Sequence, residues 1–383
     1  MSQPSLENVV EILAQLVSFD TTSHHSNLAL IEWIEHFLKQ KNIAYERVNE
    51  GNGKSSLLAR IGPKGQGGIV LSGHTDTVPT LGQPWSSDPY QLAFRGGRFY
   101  GRGASDMKSF LALALAHVDY WKAQSPKKPI WLAFSHDEEI GCLGAAPMAQ
   151  KLLDAHVEPS LVVIGEPTDM KLVIAHKGIL SYETIITGRE AHSSMPQQGV
   201  NAVMLMGELI HTLNEISIRA RKKADKKSGF IPNYTTVHVG VVEGGTARNI
   251  IPRHCRIAWE VRPLPNTDVA ALLKSYYEKC IALEDAMKSI DPNTSIVTRQ
   301  LTNVHGLGAV DEGSEHIALA KRLANSNHVE YVSYGTEGGI FQHHGLNAII
   351  CGPGSIDQAH QPDEFIEAAQ LELGMEFMRR LAG

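Results

Sequence analysis

The chain has 383 residues, 43% of them hydrophobic and 20% charged, with a formal net charge of -6 and a pI near 6.3. That length exceeds one ordinary core, so two domains are expected, and the acidic balance argues against nucleic acid as a main partner. No apolar stretch approaches the ~20 residues of a membrane span, and residues 1–7 lack the basic-then-apolar pattern of a signal. Cys142, Cys255, Cys280 and Cys351 are too scattered for a thiolate zinc site or a redox pair. Together these features predict a reducing, cytoplasmic enzyme with no membrane or nucleic-acid partner, whose metal takes oxygen and imidazole ligands.

In chain order, Leu6, Val9, Val10, Leu13, Leu16 and Val17 recur at helical spacing and predict an amphipathic first helix. Ile31, Ile34, Phe37 and Leu38 mark a second over 28–39. Residues 57–61 read as a strand and the glycine-rich 62–68 as a loop. Ile69-Val70-Leu71-Ser72-Gly73-His74 reads as a buried strand ending in Gly-His. An Ala- and Leu-rich helix over 107–121 follows, then strands over 130–134 and 161–166, and a last one at Ala348-Ile349-Ile350-Cys351 leading into Gly352-Pro353-Gly354. Short, continuous apolar strands alternating with helices predict an α/β fold, a mostly parallel sheet with helices on both faces. Between 181 and 300 the texture changes. Alternating strands over 234–239 and 256–261 flank helices near 200–216 and 268–287, which predicts a smaller inserted α+β domain. Residues 1–180 and 301–383 would then form one catalytic domain. The basic run 219–227 reads as a solvated helix end or loop.

Ligands of open α/β sheets bind beyond the carboxyl ends of the strands, and the strand-like runs of this chain end in metal-ligand residue types. The run Trp131-Leu132-Ala133-Phe134 stops in Asp137-Glu138-Glu139. Adjacent carboxylates repel, so they need either water or a cation. A pair of them allows one to bind metal while its neighbour moves protons. His74-Thr75-Asp76 is either a polar turn or a ligating imidazole steadied by a carboxylate. Asp106, on a Gly-rich turn before a helix, reads alone as a helix cap; Glu166 before Pro167 could cap a turn; His360 alone is an ordinary surface histidine. Their joint occurrence at predicted strand ends favours two metals: His74, Asp106 and Glu166 around one, Asp106, Glu139 and His360 around the other, with Asp106 bridging at roughly 3.5–4 Å. Imidazole mixed with carboxylate suits zinc, two ions per subunit, with cobalt or manganese as substitutes.

The set His74-Thr75-Asp76, Gly101-Arg102-Gly103-Ala104-Ser105-Asp106-Met107-Lys108, Asp137-Glu138-Glu139, Gly165-Glu166-Pro167 and Ala359-His360 resembles the ordered motifs of the M20 metallopeptidase/deacylase family across essentially the whole chain. The resemblance implies the ligand set above, Glu138 as general base, Asp76 beside the metal histidine, a cis peptide after Asp106 and an inserted lid domain that forms a homodimer. It also implies that His192, in Gly188-Arg189-Glu190-Ala191-His192-Ser193-Ser194, stabilises the oxyanion in the partner subunit's site. The implied substrate is a small N-acyl amino acid. Asn249 and Arg262 resemble the family's carboxylate binders, with Lys177 and Thr336 as helpers, and Glu337 is assigned to a substrate side-chain ammonium.

Overall fold

The computed structural model describes residues 3–382, and the chain divides into two compact units. The first runs to Ala175, resumes over Leu307–Tyr331 and continues from Thr336; the second comprises His176–Gly306 and Val332–Gly335. The first unit opens with α1 (Leu6–Val17), α2 (Leu28–Gln40), β1 (Ala44–Gly51), β2 (Lys54–Ile61), β3 (Ile69–His74), β4 (Ala93–Arg95), β5 (Arg98–Tyr100), α3 (Lys108–Gln124), β6 (Ile130–Ser135), α4 (Ala145–Asp154), β7 (Leu161–Pro167) and β8 (Val173–His176). The second unit contributes β9 (Ile179–Thr187), β10 (Ala191–His192), α5 (Ala202–Lys222), β11 (Thr236–Gly244), β12 (Ile250–Ile251), β13 (His254–Arg262), α6 (Val269–Lys288) and β14 (Ser295–Val304). The chain closes with α7 (Glu315–Ala324), β15 (Glu330–Val332), α8 (Gly338–His343), β16 (Ala348–Gly352), β17 (Phe365–Glu367) and α9 (Ala368–Arg380). The boundaries expected at 180/181 and 300/301 fall inside β9 and β14.

The first unit is built on an eight-stranded sheet in the order β1-β2-β6-β3-β7-β16-β8-β15. Its centre is parallel: β3 pairs with β6 and β7, and β16 with β7. β1 with β2, β2 with β6 and β8 with β16 are antiparallel. The apolar runs of β3, β6, β7 and β16 are buried almost without interruption, as strands covered on both faces must be. Leu71, Leu132, Phe134, Val163 and Ile349 join one cluster with buried residues of α1, α2, α3, α7 and α9. Alternate residues point the other way, toward the side where α4 packs on β6 and α8 on β7 and β16.

Helix α3 lies close on the sheet because two glycines make room for it. A Cβ at Gly73 would stand 2.6 Å from Met107 Cε, and one at Gly165 would stand 2.1 Å from the Phe110 ring. This contact seats the start of α3 at the carboxyl ends of β3 and β7.

In the second unit the four-stranded sheet β11-β13-β9-β14 is antiparallel throughout. Burial alternates strictly along β9 and β13, the mark of a sheet with one buried face. Tyr182, Ile186, Ile257 and Trp259 on that face pack with Leu209, Leu213, Tyr276 and Leu283 of α5 and α6. Asn201 and Asp268 cap the two helices by accepting the amides of Met204 and Ala271. The basic run forms the last turn of α5 and the loop after it.

Candidate metal centre

The carboxyl ends of the parallel strands carry the predicted acids and imidazoles to one place. His74 ends β3, Glu166 lies near the end of β7, Glu138 and Glu139 follow β6, and Asp106 precedes α3. His74 Nε2 lies 3.1 Å from Asp106 Oδ1 and 3.7 Å from Glu166 Oε1. His360 Nε2 lies 3.4 Å from Asp106 Oδ2 and 3.0 Å from Glu139 Oε2. Asp106 thus turns one oxygen to each histidine, as a bridging carboxylate does. Glu138 is the exception. It comes within 4.8 Å of His74 and Glu166, and its Oε1 accepts from Cys142 Sγ at 3.3 Å. The Asp106–Met107 peptide is cis.

Asp76 is used differently from the expected imidazole partner. His74 Nδ1 donates to the main-chain oxygen of Asp76 at 2.9 Å, while the Asp76 carboxylate is 3.6 Å away. That carboxylate accepts instead from Ser23 Oγ at 2.8 Å and from the amides of Glu138 and Glu139 at 3.0 and 3.3 Å. It therefore fixes the backbone that presents the acid pair. The sequence reading also missed Lys54, whose buried ammonium donates to Asp137 Oδ1 at 2.6 Å and to the Ser23 carbonyl at 2.7 Å. This ion pair ties the same turn to the start of β2; the run of three acids was the only hint of it.

The electrostatics of the cluster call for added positive charge. Burial and the neighbouring Asp106 carboxylate push Glu166 well above the ordinary carboxyl value and raise Glu139. Burial, reinforced by Glu139 and Asp106 against the pull of His74, lifts Glu138 to about 8. Burial acts to raise Asp106 too, but the bonds from His360 and His74 outweigh it and hold the group low. The bonds to Asp106 and Glu139 raise His360 to about 10. Four carboxylates around two imidazoles is the donor chemistry of divalent cations, whose charge reverses this repulsion. The residues present fit such a pair.

The candidate substrate residues are less concentrated. Glu337, at the start of α8, is 1% exposed, and its two oxygens accept from Ser72 Oγ at 2.5 Å and Ser135 Oγ at 2.8 Å. A carboxylate enclosed this way braces β3 and β6. Thr336 is likewise buried, its hydroxyl accepting the Gly338 amide. In the second unit, buried Lys177 donates to the Tyr234 carbonyl at 2.8 Å, and burial lowers its ammonium to about 8. Arg262 pairs with Glu260 at 3.0 Å, and the neighbouring Pro263 carbonyl accepts from Gly178. His192 and Asn249 form a separate group: Ser193 N–H donates to the Asn249 carbonyl, and His192 pairs with Ile250. Lys177 and Arg262 sit at one end of β9 and His192 past the other, about 25 Å apart at ~3.3 Å per strand residue.

A cage of carboxylate and imidazole at the rim of a parallel sheet, with a further carboxylate held beside it, defines a metal-dependent hydrolase. The chain belongs to peptidase family M20/M25/M40, whose family model matches residues 70–383. Among named relatives it is 34% identical to the acetylornithine deacetylase of Pasteurella multocida, covering 96% of this chain and 93% of that one. It is 33% identical to the acetylornithine deacetylase of Proteus mirabilis, covering 98% and 96%. Its fold matches the crystal structure of aminopeptidase PepT from Bacillus cereus with a TM-score of 0.75 at 19% identity, over 100% of both chains. The M20 metallo-carboxypeptidase Sso-CP2 of Sulfolobus solfataricus matches equally, with a TM-score of 0.75 at 18% identity over 98% of both chains. Among the described residues no helix is long and apolar enough to cross a membrane.

Proposed function

We propose that this chain removes the acetyl group from N2-acetyl-L-ornithine, releasing L-ornithine for arginine synthesis together with acetate. The observation that carries the substrate is the likeness to proteins named for that activity, 31–35% identical over nearly their whole length. The observation that carries the chemistry is the place of Glu138, next to the cage yet outside its histidine–carboxylate contacts.

Two divalent ions, zinc in our reading, would be held by His74, Asp106 and Glu166 and by Asp106, Glu139 and His360; when bound they supply an acidified water and a polarised acyl carbonyl. Glu138 takes the proton of the attacking water and returns it to the departing amine. Asp76, through the amides of Glu138 and Glu139, keeps that carboxylate aimed. His192 donates to the oxyanion; its Nδ1 is held by the Ser194 hydroxyl at 2.7 Å and the Ser194 amide at 3.2 Å. Arg262 and Asn249 recognise the substrate carboxylate, with Lys177 and Thr336 as buried supports.

The distance between the Arg262 and His192 ends of β9 favours a homodimer in which each subunit lends its His192 end to its partner. Edge strand β11 is exposed at that end. Val241 and Val242 are 40% and 57% exposed, and on α5 Val203 and Met204 are 38% and 70% exposed. An apolar edge strand left uncovered is a template for association.

The test is a substrate panel on the metal-loaded protein: acetylornithine, succinyl-diaminopimelate, acetylmethionine and a dipeptide. Acetylornithine should give the highest kcat/KM. Faster turnover of the succinyl compound or the dipeptide overturns the substrate while leaving the hydrolase.

A further inference from the structure

The five residues of the cage are not equally secured. His74, Asp106 and Glu166 are at most 6% exposed. The His360 side chain is 54% exposed, on a loop whose backbone runs through left-handed conformations at His360 (φ 64) and Asp363 (φ 54). A ligand on such a loop holds its position only if something else fixes the loop.

That fixing comes from a buried network that neither the ligand set nor the proposed reaction accounts for. Arg102 and Glu364 are each 1% exposed and pair at 2.8 Å. Glu364 carboxylate oxygens also accept the amides of Gly103, Ser105 and Asp106 at 3.0, 2.8 and 2.9 Å. The turn carrying Asp106 is therefore wound around one carboxylate. Arg102 reaches the opposite way, donating to the Gln361 and Pro79 carbonyls at 3.3 and 3.4 Å and to Gln83 Oε1. Gln83 Nε2 in turn donates to the His360 carbonyl at 2.9 Å. The ladder between β5 and β17 sets the two loops side by side, and Gly101 N–H donates to the Glu364 carbonyl at 2.9 Å.

Resting on the ligand assignment proposed above, we infer that Glu364, Arg102 and Gln83 are positioning residues that lock the Asp106 turn to the His360 loop and so determine the affinity of the His360-side metal ion. Glu364 and Gln83 reach the cage residues Asp106 and His360 through main-chain atoms. Of the ligand residues, Gln83 bonds His360, whereas Glu364 bonds Asp106, which serves both ions. Their removal must therefore give two different metal-binding signatures. Outer partners of this kind change metal affinity by about 10–100-fold.

The experiment strips the protein with a chelator, reloads it with cobalt and follows stoichiometry and visible absorption, with circular dichroism as a check on folding. Wild type should bind two ions of unequal affinity, and His360→Ala should lose the weaker one. Gln83→Ala should weaken only that ion, by about tenfold, with the tighter ion unchanged; Gln83 is half-buried, so this variant keeps its fold even if Glu364→Gln does not. Folded Glu364→Gln should weaken both ions. The inference is overturned if Gln83→Ala binds both ions like wild type, or weakens both equally. If wild type takes up a single ion, or His360→Ala still binds two, the ligand assignment falls first and this inference with it.

Discussion

The metal cage and the outlying substrate residues are built on opposite plans. The cage draws its residues from three strand ends, the turn before α3 and a loop of a single compact unit, and the amides of Asp106, Glu138 and Glu139 are tied to the carboxylates of Glu364 and Asp76. Lys177, Arg262, Asn249 and His192 belong to the second unit, in two groups at opposite ends of β9. The proposed chemistry would thus rest on preorganised groups, whereas the residues proposed for recognition fall into two separate groups. Perturbing each region separately tells whether that division is real.

The largest effect is expected from Glu138→Gln, which should keep both metal ions and lower kcat by about 10²–10⁴-fold, the usual weight of a general base; metal analysis beside steady-state kinetics checks it, and a near-normal rate removes Glu138 from that role. His192→Ala should lower kcat by about 10²–10³-fold without disturbing metal content. Mixing unfolded Glu138→Gln and His192→Ala subunits and refolding them together should restore activity, since mixed dimers then hold one site with both groups intact. No recovery would mean that His192 serves its own subunit.

Acid should separate the two units by stability. Burial lowers His117, in the first unit, and His176, in the second, from the ordinary 6.5 to about 4. Between pH 6.5 and 4 the unfolded chain takes up a proton that the folded chain refuses, so stability falls through that window and levels off below it. Each group contributes on the order of 3 kcal/mol. Denaturant titration of His117→Leu and His176→Leu should show a flatter pH dependence, and the variant with the larger change identifies the unit whose opening limits stability. The smallest effect is expected from Glu337→Gln. Selectivity for acetylornithine over acetylmethionine should stay within a few-fold of wild type, because the group faces Ser72 and Ser135; a collapse of that selectivity would return Glu337 to the substrate.

Much of this was legible in the sequence because strand ends are marked by abrupt changes of residue type. The apolar runs of β3, β6, β7 and β16 and the ligands at or beyond their ends all lie where their composition put them, and Asp268 begins its helix as read. The three-residue strands β4, β5 and β17 were not legible, since they are too short to show a period. Nor was the pairing of Arg102 with Glu364, two common residues 262 positions apart. The use of Asp76 was half visible: its neighbourhood to His74 follows from spacing, but its bonds to the amides of Glu138 and Glu139 depend on how two strands align. The burial of Glu337 was not legible either, because an acid next to a threonine carries no mark of it.

The glycines beneath α3 give the centre its depth. With a methyl group at position 165, Phe110 would have to lift away from β7 and carry the first turn of α3 with it, so Asp106 would rise from a floor on which His74 and Glu166 stay put. The reach of the shared carboxylate is thus gauged by two hydrogen atoms on strands that bear no charge there. A family member that enlarged either residue would have to shorten another side chain by the same amount to keep its two ions at a common distance.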